Sequence, residues 1–100
     1  METKPKQVQF KVNIDEKAAK GKYANFMNIW HSYYEFILDI GQVMPGRNEI
    51  NVFERIVTNP LRAKLLLKAL EVNIAKYEKT FGKIEVERHD FPEIEPPKLH

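Results

Sequence analysis

The sequence predicts an α+β fold, a four-stranded antiparallel sheet followed by one long amphipathic helix packed across it. Three observations lead there. Residues 7–14 alternate strictly between apolar and polar side chains, the pattern of a pleated strand with one covered face. Residues 23–43 and 50–57 are rich in aromatic and β-branched residues, which suit strands. Finally, Asn59 and Gly82 bracket a run with helical periodicity.

Val8, Phe10, Val12 and Ile14 share one face of the first expected strand, with Gln9, Lys11 and Asn13 on the other. Asp15 to Lys22 is polar, ends at Gly21, and reads as a loop with room for one helical turn. Residues 23–43 satisfy two periods. With a period of two they form strands near 23–30 and 35–43 around a turn at His31-Ser32-Tyr33. With a helical period Phe26, Trp30, Tyr33, Ile37 and Ile40 align instead. The aromatic and β-branched content favours strands. Pro45-Gly46 marks a turn, because Pro presets φ and Gly accepts positive φ. A fourth strand follows near 50–57.

The helix, 59–81, is read from its ends inward. Asn59 suits the N-cap, Pro60 the first helical position and Gly82 the C-cap. Stepping about 100° per residue places Ala63, Leu66, Leu67, Leu70, Ile74, Tyr77 and Phe81 on one stripe, expected to face the sheet. Leu61, Leu65 and Val72 lie on the opposite side. A single sheet cannot cover both sets, so these three are candidates for an oligomer interface. Beyond the helix, Ile84 and Val86 alternate with charges as a short edge strand would. The prolines at 92, 96 and 97 break regular structure in a tail at 87–100 that is expected to be mobile. Residues 1–6 are expected to be a flexible N-terminus, leaving 7–86 as one domain.

Composition bounds the function. The 100 residues are 43% hydrophobic and 30% charged, as in globular proteins. The absence of cysteine removes disulfides and thiol chemistry and suits a reducing, cytoplasmic setting. The charged start, with no apolar run behind it, does not resemble a signal peptide, and the densest apolar stretch, Phe26 to Ile40, is interrupted by Asn28, His31, Glu35 and Asp39. No membrane association is therefore expected. The net charge of +2 is spread as mild alternation: residues 1–22 carry +3, 23–58 carry −2, 59–82 carry +3 and 83–100 carry −2. That differs from the block of like charge that marks a nucleic-acid arm.

Catalytic signatures are missing. The glycines at 21, 41, 46 and 82 are too scattered for a phosphate loop, and the histidines at 31, 89 and 100 form no metal-binding pattern. His31, Glu35 and Asp39 are spaced by four and would share a helical face able to hold a metal, but on two strands they disperse, as a turn histidine and two solvated carboxylates. No catalytic residue, metal or cofactor is expected, and the protein is not expected to be an enzyme. Trp30, Tyr33 and Tyr34 form an aromatic cluster, while Arg47, Arg55 and Arg62 form a basic set with Lys64 around the second turn and the helix start. These are the candidates for contact with nucleic acid or a ligand, through stacking of unpaired bases and pairing with phosphate.

Several pieces together carry a resemblance: YANF at 23–26, HSYYEFILDIG at 31–41, MPGR at 44–47, RIVTNP at 55–60 and AKLLLKALEVNIAKYEKTFGKI at 63–84. In this order they resemble the domain of unknown function 3467 family, small uncharacterised prokaryotic proteins. The resemblance implies several short strands followed by one helix, which supports strands in 23–43. Members often carry Pro in the turn after His-Ser, where this chain has Tyr33. No activity or cofactor comes with it. Two functions are therefore expected in order: a non-catalytic interaction module acting as a homo-oligomer and, as the alternative, a single-stranded nucleic-acid binder using an aromatic sheet face. The alternative rests on an element order similar to the positive-cofactor-four and Whirly families, whose sheets bind unpaired DNA.

Overall fold

A computed structural model describes residues 7–99. The elements, in order, are the short helix α1 (Glu16–Lys20), strands β1 (Phe26–His31), β2 (Phe36–Val43) and β3 (Ile50–Thr58), the long helix α2 (Pro60–Phe81), and a single 3-10 turn at Arg88–Asp90. The architecture is α+β, with one antiparallel sheet in the order β1-β2-β3. The chain divides into two compact units. One holds α1 and most of the sheet, through Trp30 and from Ile37 to Ile56. The other holds His31–Phe36 and everything from Val57 onward, including α2.

In the first unit, α1 starts where Asp15 caps it, its carboxylate accepting from the Ala18 backbone N–H. Gly21, at a φ of 72°, ends it. One helical turn was all the polar segment allowed, and one is formed. The strands are the period-two solution of residues 23–43, and β1 alternates half-covered and exposed along its whole length. The chain reverses between β2 and β3 through Pro45-Gly46, with Gly46 at a φ of 72° and the Met44 N–H bonded to the Glu49 carbonyl at 2.9 Å. Asn25 fastens the start of the sheet: its side-chain oxygen accepts from the Val43 N–H at 2.8 Å.

In the second unit, Ser32 closes the hairpin turn. Its N–H bonds to the Glu35 carbonyl at 2.9 Å and its hydroxyl accepts from the Glu35 N–H. The turn thus spans Ser32–Glu35 with Tyr33 and Tyr34 at its centre, later than the expected His31-Ser32-Tyr33. Helix α2 begins as its sequence dictates, with the Asn59 side chain accepting from the Arg62 N–H and Pro60 in the first turn. Gly82 ends it at a φ of 104°, and its N–H bonds to the Glu78 carbonyl.

Four expectations are corrected. The sheet has three strands, because residues 7–14 form no strand. Alternation specifies a face but cannot supply a partner, and no backbone hydrogen bond among the described residues involves this segment. Ile84 and Val86 form no edge strand for the same reason. The stripe of α2 expected to be a covered face is exposed: no residue of α2 is buried. Asp39, expected to be a solvated carboxylate, is buried. The expected flexible terminus at 1–6 lies outside the described residues.

Candidate functional site

A charged residue inside the apolar run FILDIG requires a partner, since burying an unpaired carboxylate costs several kcal/mol or more. The sheet supplies two. Asp39, at the middle of β2 and 1% exposed, accepts from Arg55 of β3 through both guanidinium positions, Nε to Oδ1 at 2.6 Å and Nη2 to Oδ2 at 2.8 Å. It also accepts from the Trp30 indole Nε1 of β1 at 3.0 Å. One carboxylate therefore ties the three strands together through charge-assisted bonds, and its geometry with Arg55 is the bidentate one that a planar guanidinium favours. The hydrogen bond from Arg55 lowers the Asp39 pKa. Desolvation by burial opposes this, while the Arg55 charge and the Trp30 hydrogen bond add to the lowering. Reciprocally, the hydrogen bond to Asp39 raises the Arg55 pKa.

The arrangement defines what this cluster can do. A carboxylate held ionised by two donors has no proton to give, and its oxygens are already occupied. The cluster suits a fixed clamp. Beside it on β2, Gly41 is buried, and a Cβ there would meet the backbone of β3, the Asn51 carbonyl oxygen first and then the Val52 Cα at 2.9 Å. The two strands approach so closely at this point that only glycine fits.

The expected contact residues are distributed as follows. Trp30 and Arg55 come together, but on Asp39 rather than on open surface. Arg55 sits within β3, inside the strand expected near 50–57, and its side chain remains 49% exposed. Tyr33 and Tyr34 stand at the hairpin tip, 86% and 78% exposed, and pack edge to face at 4.9 Å between ring centres. Arg47 lies in the β2–β3 turn, its N–H bonded to the Met44 carbonyl. Arg62 lies in the first turn of α2. His31 ends β1 and stacks on Phe36 at 5.5 Å, while Glu35 belongs to the hairpin turn.

Helix α2 carries the interface candidates. Leu61, Leu65 and Val72 are exposed, as are Leu66, Leu67, Leu70, Ile74, Tyr77 and Phe81 on the other side. The nine range from 39% to 73% exposed. Among the described residues no apolar side chain of the chain is buried, and no helix is long and apolar enough to cross a membrane. The exposed stripe was the feature the sequence left unanticipated. It was legible only as a pattern of faces, because a helical wheel says which residues share a side but not what covers that side.

No curated protein and no solved structure matches the chain. The family model described as protein of unknown function (DUF3467) matches residues 1–86. With that match spanning the Trp30–Asp39–Arg55 clamp, both turns and all of α2, the chain belongs to the DUF3467 family.

Proposed function

We propose that this protein is a non-catalytic interaction module that works as a homo-oligomer, with α2 buried against a second copy. The observation that carries this reading is the exposure of α2 on both of its apolar sides. At on the order of 150 Å² per large apolar side chain, the nine residues leave roughly 700 Å² of apolar surface open. Six of them share one side and open roughly 460 Å², within the about 300–600 Å² of the largest patch on a typical monomer, and Leu61, Leu65 and Val72 open roughly 250 Å² on the other side. Only the two sides together approach the approximately 800 Å² that each partner contributes to a standard stable interface. Like helices covering one another are a common solution, since closed two-fold assemblies reuse one patch on both subunits.

Light scattering tests this directly. Wild-type protein is expected to run as a dimer or larger at micromolar concentration. Leu65→Lys combined with Val72→Lys is expected to shift the mass toward monomer, with loss of helical circular dichroism if the released helix cannot stand alone. A wild-type monomer at high micromolar concentration refutes the reading.

The alternative, binding of single-stranded nucleic acid, draws support from the exposed Tyr33 and Tyr34. It is opposed by the engagement of Trp30 and Arg55 with Asp39, which occupies the indole N–H and offsets the one arginine that lies within the sheet. The two readings part on salt. Nucleic-acid binding weakens steeply as salt rises, whereas apolar assembly does not.

A further inference from the structure

We infer that residues 7–14 of one copy add as a fourth strand to the open edge of β3 in a second copy, with Lys11 beside Glu54. This deepens the oligomer reading, on which it rests, by naming a second contact and its occupant.

The segment has the form of a strand without a neighbour. Val8, Phe10, Val12 and Ile14 alternate with polar residues and are 69–89% exposed, and the segment makes no backbone hydrogen bond among the described residues. The sheet has the complementary deficit. In the order β1-β2-β3, β3 is an edge strand of nine residues, and among the described residues no strand lies beside its outer backbone groups. Eight residues against nine is a full-length match, better than the six of β1. Open edges of this kind are templates for pairing with another chain.

Charge sets the register. Lys11 is the sole charged residue within 7–14, and Glu54 is the sole acid of β3. Among the described residues Glu54 pairs with Lys22 at 3.7 Å, with both side chains at least half exposed, a weak pair. With Lys11 beside Glu54, Phe10 and Val12 flank Phe53 and Arg55 whichever way the strand runs. An aromatic or β-branched side chain there covers Phe53 and the outward half of the Arg55 guanidinium. Area argues for a second copy as well. The four apolar residues of the segment expose on the order of 475 Å² at about 150 Å² each, which with α2 brings the contribution of each copy above the approximately 800 Å² of a standard interface.

Two measurements on the full chain test this. In hydrogen exchange at high concentration, every second amide of 8–14 is expected to be protected, because only one side of an added edge strand faces its neighbour, and this protection is expected to vanish on dilution. The chain has no cysteine of its own, so Lys11→Cys and Glu54→Cys can be made as two separate proteins and mixed under mild oxidation. A disulfide joining the two different chains supports the register and excludes folding back within one chain. An oligomer whose 8–14 amides all exchange freely overturns the strand addition and leaves the oligomer reading standing. Concentration-independent protection in a monomer overturns the second copy, and an oligomer that forms no 11–54 cross-link overturns the register.

Discussion

Asp39 is buried and bonded to residues of both neighbouring strands. Its depressed pKa has a definite sign in stability. The ionised carboxylate is favoured in the folded state, so its contribution is fully present above the ordinary carboxylate pKa of about 4 and is lost as pH falls through the lower folded value. Acid unfolding followed by the fluorescence of Trp30, the only tryptophan, is expected to begin below about pH 4. Asp39→Asn should flatten that part of the profile. At neutral pH the same variant is expected to cost about 1–2 kcal/mol in urea unfolding, less than the 3–5 kcal/mol of a fully buried pair, because the half-exposed Arg55 can recover water. An unchanged acid profile in the variant would show that the clamp is not what titrates. Gly41 gives a second prediction of different origin. An added methyl has to push β3 away at Asn51 and Val52, so Gly41→Ala is expected to destabilise by about 1–3 kcal/mol, as overpacking does, although alanine itself suits a strand no worse than glycine. A neutral result in urea unfolding would mean that the strands can separate there at no cost.

At the scale of elements, what was legible in the sequence had local causes. Asn59, Pro60 and Gly82 fixed the ends of α2 to within a residue because caps satisfy backbone groups one turn away. Asn59→Ala is accordingly expected to cost about 1 kcal/mol, read as a lower midpoint in thermal melting of the helical signal, with Asn59→Asp close to wild type. Pro45-Gly46 marked its turn for the same local reason. The hairpin at Ser32–Glu35 was placed a residue early, since the decisive bonds are those of the Ser32 hydroxyl and backbone to Glu35, and a serine announces no such partner. Residues 7–14 show where locality ends. Their alternation is plain in the sequence, but a strand is a relation between two segments, and only one of them is in the pattern. The burial of Asp39 escapes the sequence by the same logic. The mismatch of an acid within FILDIG was visible, while its partners lie nine and sixteen residues away on neighbouring strands.

For the whole molecule the decisive fact is that, among the described residues, the one fully buried side chain is an acid and no apolar side chain is buried. Apolar burial is the dominant favourable contribution to folding, about 25 cal/mol per Å² removed from water, and it has to offset about 1–2 kcal/mol of backbone entropy per residue. A charged clamp cannot replace it, since a buried ion pair roughly balances its own desolvation. If assembly provides the missing burial, folding and association are one process, and stability follows protein concentration by mass action. The thermal midpoint of wild-type protein is therefore expected to rise by several degrees for each tenfold increase in concentration. The helical signal and the fluorescence of Trp30 should fall together, and light scattering should report loss of the oligomer in the same range. Leu65→Lys with Val72→Lys should lower the midpoint most at low concentration, where association is already weakest. A midpoint that stays fixed between 1 and 100 micromolar would mean that the single chain holds itself folded without the second copy, and the assembly reading would then have no thermodynamic footing.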